Sequence, residues 1–137
     1  MRPQFTIIVA LVMNAAMLGE AYATAMTNNE RNAITDKELD SMASIVVDDP
    51  PTAKKLCEEA RAIAARFDID DWAQGHVDGC FAEVAEASKN TAGACKLRDS
   101  QIAHYKRVAA AGSDELKKNI VAGLRTAKEM RAALGCK

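Results

Sequence analysis

Cysteine is the residue type in this chain whose chemistry is most restrictive, and it occurs four times, as Cys57, Cys80, Cys95 and Cys136. Thiols form disulfides, bind metals or carry out redox reactions. No C-x-x-C spacing occurs, which excludes thioredoxin-type redox chemistry, and without C-x-x-C-H a c-type haem is excluded as well. An even number of cysteines in a small exported domain predicts two disulfides.

Zinc binding is the competing use of these thiols. His76 and Cys80 are four residues apart, and on a helix this spacing places both side chains on one face, where they could provide two zinc ligands. The only other histidine is His104. We therefore expect structural disulfides, and neither a metal site nor a cofactor.

Two further groups of residues could take part in acid–base or calcium chemistry. His76 and His104 could act as general bases, but no serine or free thiol is tied to either by a recognisable motif. The cluster Asp68, Asp70 and Asp71 does not match a calcium loop, because Trp72 occupies a ligand position and the glutamate at position twelve is missing. Helix capping accounts for these aspartates, and we predict no catalytic residue.

The N-terminus has the pattern of a cleavable signal peptide. One basic residue lies in positions 1–4, an almost unbroken apolar run occupies 5–18, and small-x-small cleavage sites end at Ala23 and Ala25. The apolar run is too short for a membrane span, which needs about 20 residues. We therefore predict a signal peptide over residues 1–25, export to the periplasm or the medium, and a mature chain that is not an integral membrane protein.

Composition and periodicity predict an all-α fold. The chain is rich in alanine, only 4% of its residues are aromatic, and it has three prolines; such a composition favours helices over strands. We predict a flexible leader at 26–34 and a helical domain at 35–137. Within this domain the predicted helices cover residues 35–47, 51–67, 71–88, 96–110 and 114–134.

These helices should form a small disulfide-stapled bundle, with a short N-terminal helix followed by two antiparallel helical hairpins. In the first helix the capping-box spacing of Thr35 and Glu38 marks the start. Four apolar residues are expected on its inner face: Leu39, Met42, Ala43 and Val46. In the third helix, Trp72 is expected to anchor the core.

The positions of the cysteines favour one of three pairings. Cys57 and Cys80 are about equidistant from the turn near residue 68, and such residues face each other in an antiparallel helical hairpin. The pairing Cys57–Cys80 leaves Cys95–Cys136, which would close the open end of the second hairpin. We expect Gly75 and Gly79 to let the first two hairpin helices approach closely enough for the disulfide.

Charge is distributed unevenly along the mature chain. Residues 26–90 contain 7 lysines and arginines against 14 aspartates and glutamates, whereas residues 91–137 contain 10 against 4. The two hairpins could simply attract each other. Alternatively, a basic face on the last helix could meet an acidic partner or an anionic envelope surface. The residues of this predicted basic face are Lys117, Lys118, Arg125, Lys128 and Arg131.

No motif identifies a reaction, so the architecture guides the functional prediction. We expect an exported, non-catalytic protein that acts by surface binding to a protein partner in the envelope or outside the cell, for example an inhibitor or immunity-type protein. The first alternative is a carrier with a cavity for a small apolar ligand between the hairpins. The second is a small periplasmic hydrolase using a histidine. Nucleic acid is not an expected partner, because the chain is exported and its net charge is near zero.

Overall fold

The computed structural model describes residues 25–137, and within this range the chain is helical, with no strand. The predicted signal peptide lies, except for Ala25, outside the described residues. The five helices are α1 (Asn28–Val46), α2 (Pro50–Ala64), α3 (Asp71–Ala87), α4 (Thr91–Ala111) and α5 (Asp114–Ala133). None of these helices is sufficiently long and apolar to cross a membrane.

Two disulfides brace the bundle, and both follow the predicted pairing. Cys57 in α2 is bonded to Cys80 in α3 with their Cα atoms 5.6 Å apart. Cys95 in α4 is bonded to Cys136, which follows α5, at a Cα separation of 5.7 Å. The prediction of an all-α, disulfide-stapled bundle is therefore confirmed, and these bonds indicate an oxidising environment. Because Cys80 is in a disulfide, it cannot form the zinc site with His76 that the spacing allowed.

Side-chain caps begin four of the five helices. The carboxylate of Asp70 accepts a hydrogen bond from the backbone N–H of Ala73 at 2.9 Å, which confirms helix capping as a role of the aspartate cluster. Three other residues cap the next helix in the same way: Asp49 for α2, Asn90 for α4 and Ser113 for α5.

The first helix begins at Asn28, so the leader prediction is wrong. Residues expected to be flexible form the first turns of a 19-residue helix, which is not short. Arg31 forms an ion pair with Asp70 at 2.8 Å, which ties this end of α1 to the start of α3. Thr35 lies inside the helix, where its hydroxyl donates to the Arg31 carbonyl oxygen, and it does not cap. A tertiary contact thus extends a helix whose first turns are polar in sequence.

The start of α4 also differs from the prediction. Asn90 accepts a hydrogen bond from the Gly93 backbone N–H at 3.0 Å, so the segment expected to interrupt the chain is the cap and first turn of the helix. Cys95 consequently lies within α4 rather than before it.

The third helix is the centre of the bundle. It packs against α1, α2 and α4, while α5 packs mainly on α4. Helix α3 is antiparallel to α2 and α4; on α4, Ser100 contacts Asp78 and His104 contacts Asp71. Helices α1 and α3 run in parallel, because Arg31 contacts Asp70 and Glu38 contacts His76. Trp72 is buried in the main core, as predicted.

Two glycines of α3 allow a close approach to α4 and not to α2, contrary to the prediction. A Cβ atom on Gly75 would lie 2.3 Å from Cε1 of Tyr105, and one on Gly79 would lie 2.3 Å from Nε2 of Gln101. Tyr105 and Gln101 belong to α4. The glycines therefore make room for two large buried side chains, and the disulfide to α2 needs no such space.

The inner face of α1 is also different from the predicted one. All four residues expected there are exposed: Leu39, Met42, Ala43 and Val46. Ile34 and Ser41 are buried instead. The Ser41 hydroxyl donates to the carbonyl oxygen of Ala53 at 3.1 Å and lies 3.3 Å from Sγ of Cys57. Since this polar group has partners in α2, a serine is buried on a face of α1 that the hydrophobic pattern did not indicate.

Candidate binding surfaces on α1, α3 and α5

An apolar stripe on α1 is the first candidate surface. We define it as Leu39, Met42, Val46 and Val47, whose exposed fractions are 57%, 41%, 85% and 73%. The first three are spaced i, i+3 and i+7, so they lie along one face of the helix. Single exposed apolar residues are common, but a contiguous group of them marks a contact surface.

The apolar stripe borders a groove between α1 and α5. No Cα atom of α1 lies within 8 Å of a Cα atom of α5, although both helices line the same cavity. We define the apolar groove as this cavity of about 250 Å³, lined by Met42, Ile45, Val46, Ala87 and Met130, with Glu83 and Glu86 at its polar side. Helix α3 provides its floor.

A polar pocket of about 170 Å³ adjoins the apolar groove, and the two share Glu83 and Met130. We define the polar pocket by its functional groups, which come from three helices. These are Glu38 of α1, His76 and Glu83 of α3, and Arg98, Gln101 and Tyr105 of α4. From α5 the pocket is lined by uncharged residues: Gly123, Thr126, Ala127 and Met130.

Arg98 is the cation of the polar pocket and is only 1% exposed. Its Nε and Nη2 atoms donate to Oε1 of Glu86 at 3.1 and 2.9 Å, and Nη1 donates to Oε1 of Gln101 at 2.9 Å. Gln101 in turn donates to the Tyr105 hydroxyl at 3.4 Å. All three nitrogens of the guanidinium are thus directed at Glu86 and Gln101.

The second ionisable pair of the polar pocket is Glu38 with His76. Oε2 of Glu38 lies 2.6 Å from Nδ1 of His76. The imidazole ring is also in contact with Trp72 and Tyr105, at centroid distances of 4.1 and 5.6 Å. Burial raises the pKa of the Tyr105 hydroxyl, so that group stays neutral. His76 therefore has a structural environment between two aromatic rings and a carboxylate.

Glu83 is the carboxylate of this site that has no cation of its own. Within residues 25–137 it forms no ion pair at 4.0 Å or less, because Arg98 is directed at Glu86. Burial, together with the charges of Glu38 and Glu86, raises the pKa of Glu83 to about 7, although Arg98 acts in the opposite direction. The Glu83 carboxyl therefore titrates near neutral pH. Glu83 was not predicted from the sequence, although it lies seven residues after His76, on the same helix face.

The surroundings of His104 do not form a nucleophilic triad. Nδ1 of His104 lies 2.7 Å from Oδ1 of Asp71, and its Nε2 is 3.7 Å from Oδ2 of Asp78. The hydroxyl of Ser100 donates to Asp78 at 2.5 Å and not to the imidazole. A general base must accept the proton of the nucleophile, and this geometry gives that proton to a carboxylate.

Asp71 is held in its ionised form by this cluster. Burial raises its pKa, but hydrogen bonds from His104 and Arg107 outweigh that effect and leave the pKa below its usual value. Arg107 donates to Asp71 through Nε at 2.8 Å.

In the described part of the chain, no group of three or more histidine, cysteine or acidic side chains is placed to bind a metal ion.

The basic residues predicted as a binding face share the outer side of α5. Arg131 forms an ion pair with Asp99 of α4. Within residues 25–137 the other four have no acidic partner within 4.0 Å: Lys117, Lys118, Arg125 and Lys128. Val121, which is 66% exposed, lies among them. The predicted attraction between the acidic and the basic half of the chain occurs at α4, where Arg98 and Arg107 form ion pairs with acidic residues of α3. Among the described residues, the four unpaired basic residues of α5 take no part in it.

Comparison of the chain with protein-family models, with curated proteins and with solved structures finds no match. The site therefore has to be interpreted from its own geometry.

Proposed function

We propose that the chain is an exported, non-catalytic binding protein, such as an inhibitor or immunity-type protein, and that it contacts a protein partner through the apolar stripe and the apolar groove. The observation that carries this proposal is the exposure of Leu39, Met42 and Val46. Their spacing is that of a core-facing helix stripe, yet within residues 25–137 they remain exposed and cover no core.

The free energy that burial of the apolar stripe would contribute is consistent with this role. Full burial of a side chain such as leucine, valine or methionine contributes about 1.5–3 kcal/mol. Three or four such residues at the centre of an interface would supply most of the energy of a hot spot. A partner that covers the apolar stripe and the rims of the apolar groove would remove that surface from water.

Two features support export. The two disulfides require an oxidising environment. Residues 1–25 have the sequence pattern of a signal peptide, with cleavage after Ala23 or Ala25. The proposed place of action is therefore the periplasm or the medium.

A carrier of small apolar ligands is the second candidate, because two adjoining cavities lie between the helices. The apolar groove and the polar pocket measure about 250 and 170 Å³. Each is below the range of about 300–1,000 Å³ that is usual for ligand pockets. We therefore place the protein-binding function first.

The test introduces a glutamate at each of two exposed apolar positions and compares the two variants. Met42→Glu changes the rim of the apolar groove, and Val121→Glu changes an exposed apolar residue of α5 that does not line this groove. The oxidised protein and both variants are coupled to beads, incubated with cell-envelope extract and cross-linked. We expect one partner to be lost with Met42→Glu and retained with Val121→Glu.

Other outcomes would redirect the assignment. Loss of the partner with Lys118→Glu and Arg125→Glu, but not with Met42→Glu, would move the contact to the basic face of α5. Native mass spectrometry that finds a co-purified lipid, absent from Met42→Glu, would favour the carrier.

A further inference from the structure

The apolar groove has features that specify what would occupy it, and this inference rests on the proposed function. We propose that it receives an amphipathic helix of the partner protein, with apolar side chains against Met42 and Met130 and a lysine or arginine side chain against the carboxylate of Glu83.

Shape favours a helix over a compact ligand or a strand. The apolar stripe from Leu39 to Val46 covers about two turns, or roughly 10 Å at a rise of 1.5 Å per residue. A docked helix would present side chains at i, i+3 or i+4, and i+7 over that length. The walls and floor are helices with internally bonded backbones, so no free sheet edge exists in this part of the chain for strand addition.

Charge favours a basic helix. Of the two carboxylates that face the apolar groove, Glu86 is neutralised by Arg98. Among residues 25–137, Glu83 has no cation within 4.0 Å, and α5 contributes only uncharged residues to its surroundings. A cationic side chain entering between the apolar contacts would complete the second ion pair. The net charge of −7 on residues 26–90 would also attract a basic segment at longer range.

The groups that face Glu83 determine how this contact should respond to pH. They are Glu38 of α1, Glu86 and His76 of α3, and Arg98 of α4. Because the Glu83 carboxyl in the free protein has a pKa of about 7, a bound cation should displace its proton. Affinity should then rise about tenfold between pH 6 and pH 8, as the ionised fraction of Glu83 increases.

Two synthetic 18-residue peptides provide the probe. Both carry leucine at positions i, i+4, i+7 and i+11 and alanine at the flanking sites; one has lysine and the other glutamate at the polar positions. Binding to the oxidised protein is measured by fluorescence anisotropy. At pH 8 the lysine peptide should bind about tenfold more tightly than the glutamate peptide. Glu83→Gln should reduce this preference to the part that long-range attraction supplies and should remove the pH dependence, which separates Glu83 from His76. Val121→Glu should change neither.

The results distinguish this inference from the proposed function. If neither peptide binds while partner capture remains dependent on Met42, the helical occupant is wrong and the binding function stands. If the glutamate peptide binds more tightly, and Lys118→Glu removes that binding, the basic face of α5 is the docking surface and the inference is overturned. An unchanged lysine preference in Glu83→Gln would also overturn it.

Discussion

Replacing Glu83 by glutamine should stabilise the protein at pH 8 and leave its stability unchanged at pH 4. Glutamine has nearly the shape of a protonated glutamic acid but cannot ionise. The variant therefore keeps the packing at the junction of the apolar groove and the polar pocket and removes the burial of a charge.

The pH range follows from the two states of the carboxyl. Below about pH 4.5 it is protonated in the folded and in the unfolded chain. It therefore contributes nothing to the difference in stability between the wild type and Glu83→Gln. Between 4.5 and about 7 the unfolded chain releases the proton and the folded protein retains it. Stability of the wild type therefore falls across this range as pH rises, and the loss is complete above the folded pKa.

The magnitude follows from the same two values. The difference between 4.5 and about 7 would correspond to about 3 kcal/mol at 1.36 kcal/mol per pH unit. Because the side chain is only half-buried and water screens part of the effect, we expect about 1.5–2.5 kcal/mol.

Urea denaturation of both proteins at five pH values between 4 and 8 measures this difference directly. Glu58→Gln is the matched control, because Glu58 is an exposed glutamate of α2 and its replacement should give a constant, near-zero difference. A Glu83→Gln variant that is equally stable at pH 8, or less stable, would refute the assignment of a half-buried carboxyl with a raised pKa.

Two further perturbations test the packing and the covalent bracing. Gly75→Ala should destabilise the protein by about 1–3 kcal/mol in urea, because its Cβ would lie 2.3 Å from Tyr105. Gly123→Ala, where the Cβ would lie 3.3 Å from the same ring, should stay within about 1 kcal/mol of wild type; equal effects would contradict the close α3–α4 approach. Replacing Cys57 and Cys80 by alanine should lower stability by about 3–4 kcal/mol, since the bond closes a separation of 23 residues. A melting temperature unchanged by this replacement would contradict the expectation.

The features predictable from the sequence were those set by local chemistry. Alanine-rich helical periodicity and capping residues gave five helices, and residues equidistant from a turn gave the Cys57–Cys80 pairing. The cap at Asp70 was of the same kind, since its side chain bonds to a backbone group three residues later. Such signals need no knowledge of distant contacts.

Features that depend on tertiary contacts were missed. The start of α1 depends on Arg31 reaching Asp70, which is 39 residues away. The buried face of α1 follows Ser41, whose polar group is satisfied by α2, and hydrophobic periodicity assigned that face to Met42. Glu83 became a candidate only when α1 and α4 placed Glu38 and Arg98 around it.

Both disulfides lie downstream of α1, and the covalent loops they close contain residues 57–80 and 95–136. Within residues 25–137, the helix that bears the apolar stripe is therefore attached to the bundle only through side-chain contacts and one short turn. We expect its amides to exchange with deuterium faster than those of α3, because elements outside covalent loops can open on their own. If α1 opens independently, the apolar groove can adjust its width to an incoming helix. Slower exchange confined to α1 would then indicate that the apolar groove is occupied.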